Sequence, residues 1–551
     1  MNGNEIVARI LRLEGVEWMT AYPEQKLIDA AAKEGIRPII TRQERAGVNM
    51  ADGFSRIRRG RQIGVFTAQR GPGAENAFGG VAQAYADSVP LLFLPGGAPR
   101  DRVRVHPGFD SIDHYKGITK FSGHLNTVER IQEIMRHAFT QLKHGRPGPV
   151  MLEIPDDVGQ EEIPDNDFNY KPVNVRLSEA STEDVRDLVT ALLQADMPII
   201  NAGQGILYAE ATDELVEFAE LTKIPVLTTL AGKSSFPENH SLSLGTGASS
   251  TTLMVTRYLE KTDFCLGIGT SFTISGFNAP MPTGVGLAQV TNCPEDLNKD
   301  YRIDHGAIGD AKLVLRQMID EVKSQLGAEG RSDERGIARD IASIREKFMT
   351  EWKPRLNSSE VPISPYRVFT ELATAVDVKN TIITHDSGYP RDQLVPFWQT
   401  ESPGGYIGWG KSTQLGYGLG LALGAKLAAP DKTVVNIMGD AAFGMAGLDI
   451  ETAARNDIGT LTVILNNGVM THYSSHMPYA TKHYQSNEFT GEYANVSASL
   501  GAFAQRVTAP DQIGPSIKKA LEATQAGQPA VIEMITKEEE TVSTYEDVSL
   551  Y

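Results

Sequence analysis

Three features are scarce in this sequence, and each scarcity removes a class of protein. Among 551 residues there are two cysteines, Cys265 and Cys293, too few for a disulfide framework and without zinc-ligand spacing. They are expected to be buried fillers in a protein of the reducing cytoplasm. Positive charge is also in deficit: the formal net charge is −17, with no basic stripe to interrupt it. Such a surface repels nucleic acid and anionic lipid, so neither is expected as a partner, and any bound phosphate needs local help. Long apolar runs are missing as well. The strongest, GYGLGLALGAKLAA, is too short and glycine-rich to span a bilayer. The first residues, MNGNEIVARILRLEGV, carry no basic segment leading into an apolar one and predict an amphipathic helix instead of a targeting signal.

What is present is a globular composition, 41% hydrophobic and 22% charged, long enough for about three domains. From residue 1 to about 165, strand-like runs (37–41, 64–67, 90–95, 149–154) alternate with helix-length amphipathic segments, the pattern of a parallel α/β sheet. The acidic, proline-containing stretch 160–172 predicts a linker. A second α/β unit is expected over 180–330, with strands at 198–201, 225–229, 263–268 and 286–290. A charged helical connector follows over 331–353, ended by Pro354, and a third α/β unit fills 360–540. The expected fold is therefore α/β, three consecutive parallel-sheet domains, with 541–551 left as a tail or lid. The phrases GRPGPVMLEIP (Gly145–Pro155) and GQPAVIEMI (Gly527–Ile535) both predict a turn and a buried strand, a hint of internal duplication.

The chemistry is concentrated in VVNIMGDAAFGMAGLDIETAARNDIGTLTVILNNG. It predicts a strand, a Gly439-Asp440-Ala441 turn, a helix, and a strand ending in Asn466-Asn467. A carboxylate and an amide at two strand ends can share a hard, oxygen-seeking cation such as magnesium, which phosphate oxygens usually complete. Small residues after Gly439 let backbone N–H groups approach a diphosphate at a helix start. The segment resembles the diphosphate-and-metal motif of thiamine-diphosphate enzymes, which runs from Gly-Asp-Gly to Asn-Asn; here Ala441 replaces the usual second glycine. The resemblance implies that Asp440 and Asn467 ligate magnesium through side chains and Val469 through its carbonyl, with Gly439, Ala441 and Ala442 against the diphosphate.

In the first unit, ITRQERAGVNMADGFSR places Glu44 after a strand and before a small-residue helix, where a lone glutamate also serves as a helix-dipole partner. With Gly71-Pro72-Gly73 and Asn76, the block is similar to the pyrimidine-binding domain of the acetolactate synthase (acetohydroxyacid synthase) group. That implies a role for Glu44 as cofactor activator, holding the aminopyrimidine so that the thiazolium carbon loses its proton to give an ylide. STQLGYGLGLALGA resembles the segment beneath the bent cofactor, with Leu415 as the supporting apolar residue and Thr413 offering its carbonyl. HDSGYP would set Ser387, Gly388 and Tyr389 near the diphosphate. The resemblance covers nearly the whole chain in order: pyrimidine-binding, central nucleotide-binding-like, and diphosphate-binding domains. In this superfamily the site assembles between two chains, which implies at least a homodimer, commonly a tetramer.

The resemblance thins at three places. In the central unit, Thr291 and Cys293 stand where the ribose-facing acids of flavin-holding relatives are expected, while Gly203, Gly205 and Gly269 leave room for FAD, an adenine nucleotide or coenzyme A. Gly203-Gln204-Gly205 lacks the third glycine of a dinucleotide fingerprint and predicts an ordinary strand-to-helix turn. The substrate pocket would draw on Gln43, on HPGFDSIDHYKG with Phe109, Asp110 and His114, and on the segment after Asn467 with His472, His476 and His483. The usual Phe-Gln is Phe109-Asp110 here, and the usual tryptophan-containing stretch is absent. Histidine titrates near neutrality and suits proton transfer; a partly exposed helix explains these histidines equally. Three functions follow: decarboxylation of a 2-oxoacid and carboligation through ylide and enamine; a 2-hydroxyacyl-CoA lyase or oxalyl-CoA decarboxylase-like reaction; or a non-catalytic cofactor-binding regulatory subunit.

Overall fold

The computed structural model describes residues 1–544. The first sheet contains β1 (Trp18–Tyr22), β2 (Arg37–Ile40), β3 (Gly64–Ala68), β4 (Leu91–Gly97), β5 (Phe121–His124) and β6 (Val150–Pro155). The second contains β7 (Pro198–Ala202), β8 (Val226–Thr229), β9 (Ser243–Gly247), β10 (Phe264–Ile268), β11 (Gly286–Thr291) and β12 (His305–Ile308). The third contains β13 (Thr381–His385), β14 (Tyr406–Ile407), β15 (Thr433–Gly439), β16 (Leu461–Asn466), β17 (Phe503–Val507) and β18 (Ala530–Ile535). Every strand pairing within these sheets is parallel. The central strands are buried along their whole length, so they appear in the sequence as continuous apolar runs without alternation.

The first sheet runs β2-β1-β3-β4-β6-β5 and the third β14-β13-β15-β16-β18-β17, the same order twelve strands later. The two phrases suggestive of duplication lead into β6 and β18, which hold equivalent places. The second sheet runs β12-β11-β10-β7-β8-β9, the order of a dinucleotide-binding sheet, with its switch point between β10 and β7.

The four strands expected in the first unit and the four expected in the second all form, with ends shifted by a residue or two. β1, β5, β9 and β12 were not expected. β5 is half-buried throughout, and β9 is rich in Ser, Gly and Thr, so neither carries an apolar signature. The N-terminal helix Gly3–Leu13 forms, closed by a capping box between Asn2 and Glu5. Two expectations need correction. Pro354 does not end the connector helix, which spans Ile337–Leu356 with the proline inside its last turns. Cys265 is fully buried, but Cys293 is half-exposed, and its thiol donates to Glu295.

The first and third units meet through two helices, Glu44–Ile57 and Tyr417–Ala428. Glycines let their backbones touch: a Cβ on Gly53 would lie 2.2 Å from the Leu421 carbonyl oxygen, and one on Gly424 only 1.9 Å from that of Met50.

Of the expected tail, 541–544 lies against the body, and the rest falls outside the described residues. The Tyr366 hydroxyl donates to the Thr541 carbonyl, and the Thr251 N–H to that of Ser543. No helix among the described residues is long and apolar enough to cross a membrane.

Candidate active site

Open parallel sheets bind ligands at the carboxyl ends of their strands, and the expected site residues lie there. In the third unit β15 ends at Gly439, and Asp440 starts the helix Asp440–Ala446. β16, its neighbour in register (Gly439 opposite Leu465), ends at Asn466. The two ends are tied together: the Gly468 N–H donates to Asp440 Oδ2 at 2.9 Å and the Ala441 N–H to Oδ1 at 2.8 Å. Burial pushes the Asp440 carboxyl above its ordinary range, against the pull of these N–H groups. Asn467 folds over the loop, its Oδ1 accepting from the Val469 N–H and its Nδ2 donating to Thr471. Its partner Asn466 turns inward and donates to the fully buried Glu533. Asp440, Asn467 and the Val469 backbone thus form one oxygen-bearing loop. Among the described residues no group of three His, Cys, Asp or Glu is placed to hold a metal ion, so a cation here would rest on one carboxylate and neutral oxygens.

Beside it, β13 ends at His385, and Gly388, at φ 84°, turns the chain into the helix Tyr389–Leu394. This Ser387-Gly388-Tyr389 turn is joined to the Thr413–Leu415 segment by Asp386, which the sequence reading missed. Asp386 is fully buried and accepts N–H groups from Ser387 (2.8 Å), Gly416 (3.1 Å) and Gly418 (2.9 Å). Burial pushes its carboxyl up to about 6. The signal available was a glycine pair, Gly416 and Gly418, whose N–H groups need an acceptor where the helix begins. Leu415 is half-buried against the apolar cluster that holds Phe443 and Ala446. Thr413 is exposed.

In the first unit Glu44 is the first residue of its helix and is buried. Its neighbours reach the third unit: the Arg42 N–H donates to Asp449, and Gln43 Nε2 to the Met445 carbonyl. Arg45 approaches Asp386 closely enough to offset a small part of the upward push of burial. Pro72 opens the helix Pro72–Ala86 after Gly71, with Asn76 exposed one turn on; the Gln414 amide lies beside Gly79 of that helix. The structure therefore brings the Glu44 region, the Pro72–Ala86 helix and the Gln414 segment to one rim.

Apart from Gln43, the expected pocket residues fall into two groups, and no hydrogen bond, ion pair or ring contact joins them among the described residues. Phe109 stacks on His114 at 4.6 Å between centroids, while Asp110 accepts the Asp113 N–H and pairs with Arg104 at 3.1 Å. His472, at φ 72°, precedes the short helix Tyr473–His476; its ring packs against His476 at 4.9 Å. Its N–H donates to Glu538, and its Nδ1 lies 3.4 Å from Glu540, so the C-terminal segment holds this turn. His483 is exposed on the helix Pro478–Tyr484.

A cavity of about 580 Å³ lies at the switch point of the second sheet, lined by Gly205, Gly269, Thr291, Asp296, Arg146 and Lys411 among others. Gly203-Gln204-Gly205 is indeed a strand-to-helix turn. The Thr291 hydroxyl is used in a local turn with the Cys293 N–H, and Asp310 caps the helix Ala311–Leu326. Asp296 pairs with Arg146, leaving Lys411, whose pKa is lowered to about 8 by burial and by Arg146 and Lys299.

Family models describe the chain in three pieces: the thiamine pyrophosphate enzyme N-terminal TPP binding domain over residues 1–117, the central domain over 185–318, and the C-terminal TPP binding domain over 386–534. Relatives align nearly end to end. A probable acetolactate synthase large subunit of Methanococcus aeolicus is 30% identical over 95% of this chain and 90% of its own length. The acetolactate synthase isozyme 3 large subunit of Escherichia coli (strain K12) is 27% identical over 95% and 92%. A glyoxylate carboligase of Escherichia coli O157:H7 is 29% identical over 92% and 88%. The chain therefore belongs to the thiamine pyrophosphate enzymes and is an acetolactate synthase-like member of them.

Proposed function

We propose that the protein decarboxylates a 2-oxoacid and joins the remaining acyl unit to a second carbonyl, using thiamine diphosphate and magnesium. The observation that supports this reading is the pairing of buried Glu44 at a helix start in the first unit with, in the third, two neighbouring strand ends that carry the Asp386-linked Ser387 and Gly416 turns and the Asp440–Gly468 tie. The donor set fits the groups: Asp440, Asn467 and the Val469 carbonyl are hard oxygen ligands of the kind magnesium takes alongside phosphate. Ser387, Gly388, Tyr389, Gly439, Ala441 and Ala442 would receive the diphosphate, and Thr413, Leu415, Pro72 and Asn76 the ring end. Thiamine diphosphate, when bound, supplies a thiazolium carbon as nucleophile and electron sink. Glu44 would hydrogen-bond the aminopyrimidine end of the cofactor, and its burial would keep water from competing for that bond.

The working unit is at least a homodimer, for which the exposed Met445 and Leu448 beside the Gln43 contact offer apolar surface, and it resides in the cytoplasm, where Cys265 and Cys293 would stay free. The chain divides near 165–180 and 330–360. Phe109, Asp110, His114, Gln43, His472 and His476 would line the substrate side. A second reading, cleavage or decarboxylation of an acyl-CoA, is supported by the cavity at Arg146 and Lys411, whose cationic lining suits the phosphates of an adenine nucleotide such as coenzyme A, though equally those of FAD. Incubation with pyruvate, thiamine diphosphate and magnesium should release carbon dioxide and yield a ketol. Absence of carbon dioxide release from any simple 2-oxoacid, with turnover of a 2-hydroxyacyl-CoA or oxalyl-CoA, would transfer the assignment to the second reading.

A further inference from the structure

Glu24 stands on the ligand-binding edge of the first sheet with no assigned task. β1, β3 and β4 end together there, since Tyr22 lies opposite Ala68 and Ala68 opposite Pro95. Glu24, Arg70 and Gly96 follow within two residues of these partners, on the same edge from which Glu44 rises beyond β2. Glu24 is the N-cap residue of the helix Gln25–Lys33, yet its side chain does not cap it. N-caps favour short oxygen-bearing side chains, which bond the exposed N–H groups of the first turn. The Glu24 side chain instead crosses to β4, where Oε2 lies 2.4 Å from the position a Cβ on Gly96 would take. A side chain at position 96 would push the carboxylate out of this place.

The carboxylate receives no hydrogen bond or ion pair among the described residues, though it is half-buried. Its charged surroundings are Asp156, itself paired with Lys26, and the Arg70 and Lys26 cations. Burial, and then Asp156, hold the Glu24 carboxyl above the ordinary glutamate range, against the weaker pull of Lys26 and Arg70. An unpartnered, partly desolvated carboxylate is costly to keep, and one on a ligand-binding edge acts on whatever enters there.

We propose that Glu24 is a specificity-determining residue of the site that Glu44 serves, its negative charge disfavouring ligands that place a carboxylate on the first-sheet side. This rests on the proposed function, which puts the substrates at this edge. A neutral carbonyl acceptor is then preferred there over a second 2-oxoacid, and the donor's carboxylate is directed away from β1 and β4.

The test uses the full-length protein loaded with thiamine diphosphate and magnesium. Dissociation constants for oxamate, an unreactive carboxylate, and for neutral oxamide are measured by calorimetry at pH 8. Removing a like charge at the range of a neighbouring side chain near a protein surface changes affinity about three- to tenfold. Glu24→Gln should therefore tighten oxamate about three- to tenfold and leave oxamide within about twofold, whereas Glu24→Asp, which keeps the charge, should leave oxamate within about twofold. The gain should shrink as the pH is lowered and the wild-type carboxyl, held above the ordinary glutamate range, takes up a proton. Oxamate binding unchanged in Glu24→Gln, or oxamate and oxamide shifting equally, overturns the inference. The two readings fail separately: absence of carbon dioxide release by the wild type sinks the proposed reaction, while the oxamate-to-oxamide ratio still reports on Glu24.

Discussion

Replacing Gly424 by alanine tests whether the contact between the first and third units sets the position of Glu44. The added methyl carbon would lie 1.9 Å from the Met50 carbonyl oxygen, 2.8 Å from its carbon and 2.9 Å from the Phe54 nitrogen. All three are backbone atoms, so no side chain can swing aside. Ordinary contact begins at 3.4 Å, and the helices must separate by roughly 1.5 Å along that line. Overpacking of this kind costs about 1–3 kcal/mol, and a rigid backbone target places it near the upper end. Alanine returns up to about 1 kcal/mol through its higher helix propensity, so the net loss should be about 2 kcal/mol. Glu44 opens the helix that carries Met50 and Phe54, and a displacement of about 1 Å at a reacting group can cost about a hundredfold. Urea unfolding followed by circular dichroism should show an earlier transition, and kcat for carbon dioxide release should fall roughly ten- to hundredfold. Gly276→Ala, with nothing within 4 Å of the new Cβ, serves as the control and should change neither. An unchanged urea midpoint together with kcat within about twofold of wild type would refute the reasoning.

Glu44→Gln should retain thiamine diphosphate in equilibrium dialysis but lose about 10²–10⁴-fold in turnover, the range of a general acid–base group; undiminished turnover would remove Glu44 from the mechanism. Asn467→Ala should weaken cofactor binding in a way that added magnesium partly restores, whereas a magnesium-independent loss would point to loop collapse. Asp449 is held at about 6, raised chiefly by burial, with Oδ1 accepting the Arg42 N–H and the Thr452 hydroxyl and Oδ2 unpartnered. A carboxyl whose folded pKa exceeds its unfolded value of 3.8 gives stability below pH 4 that is lost as pH rises through about 6. Asp449→Asn keeps the Oδ1 bonds and removes that loss, so it should stabilise the protein by up to about 3 kcal/mol at pH 8 and change little at pH 4. An equal shift at both pH values would show that charge is not the cause.

The Gly439-Asp440 turn, the Asn466-Asn467 end and the start of the Glu44 helix were legible because each is a local pattern: a buried strand, a turn of small residues, and a polar group at the strand's end. The same locality made most central strands visible and hid β5 and β9, whose residues acquire burial only from neighbours distant in sequence. Asp386 and Glu24 were not legible for a related reason. A carboxylate in a turn looks alike in sequence whether water surrounds it or three backbone N–H groups do. The sequence by itself determined the family of site, since cofactor-binding turns need particular residue types at fixed local spacing. Tertiary structure decided how Asp386 joins two turns 30 residues apart, how glycines on two helices set the approach of Glu44, and where Glu24 points. Those depend on which strand ends and helix faces become neighbours, and burial, which fixes the charge and reach of each group, exists only after they have.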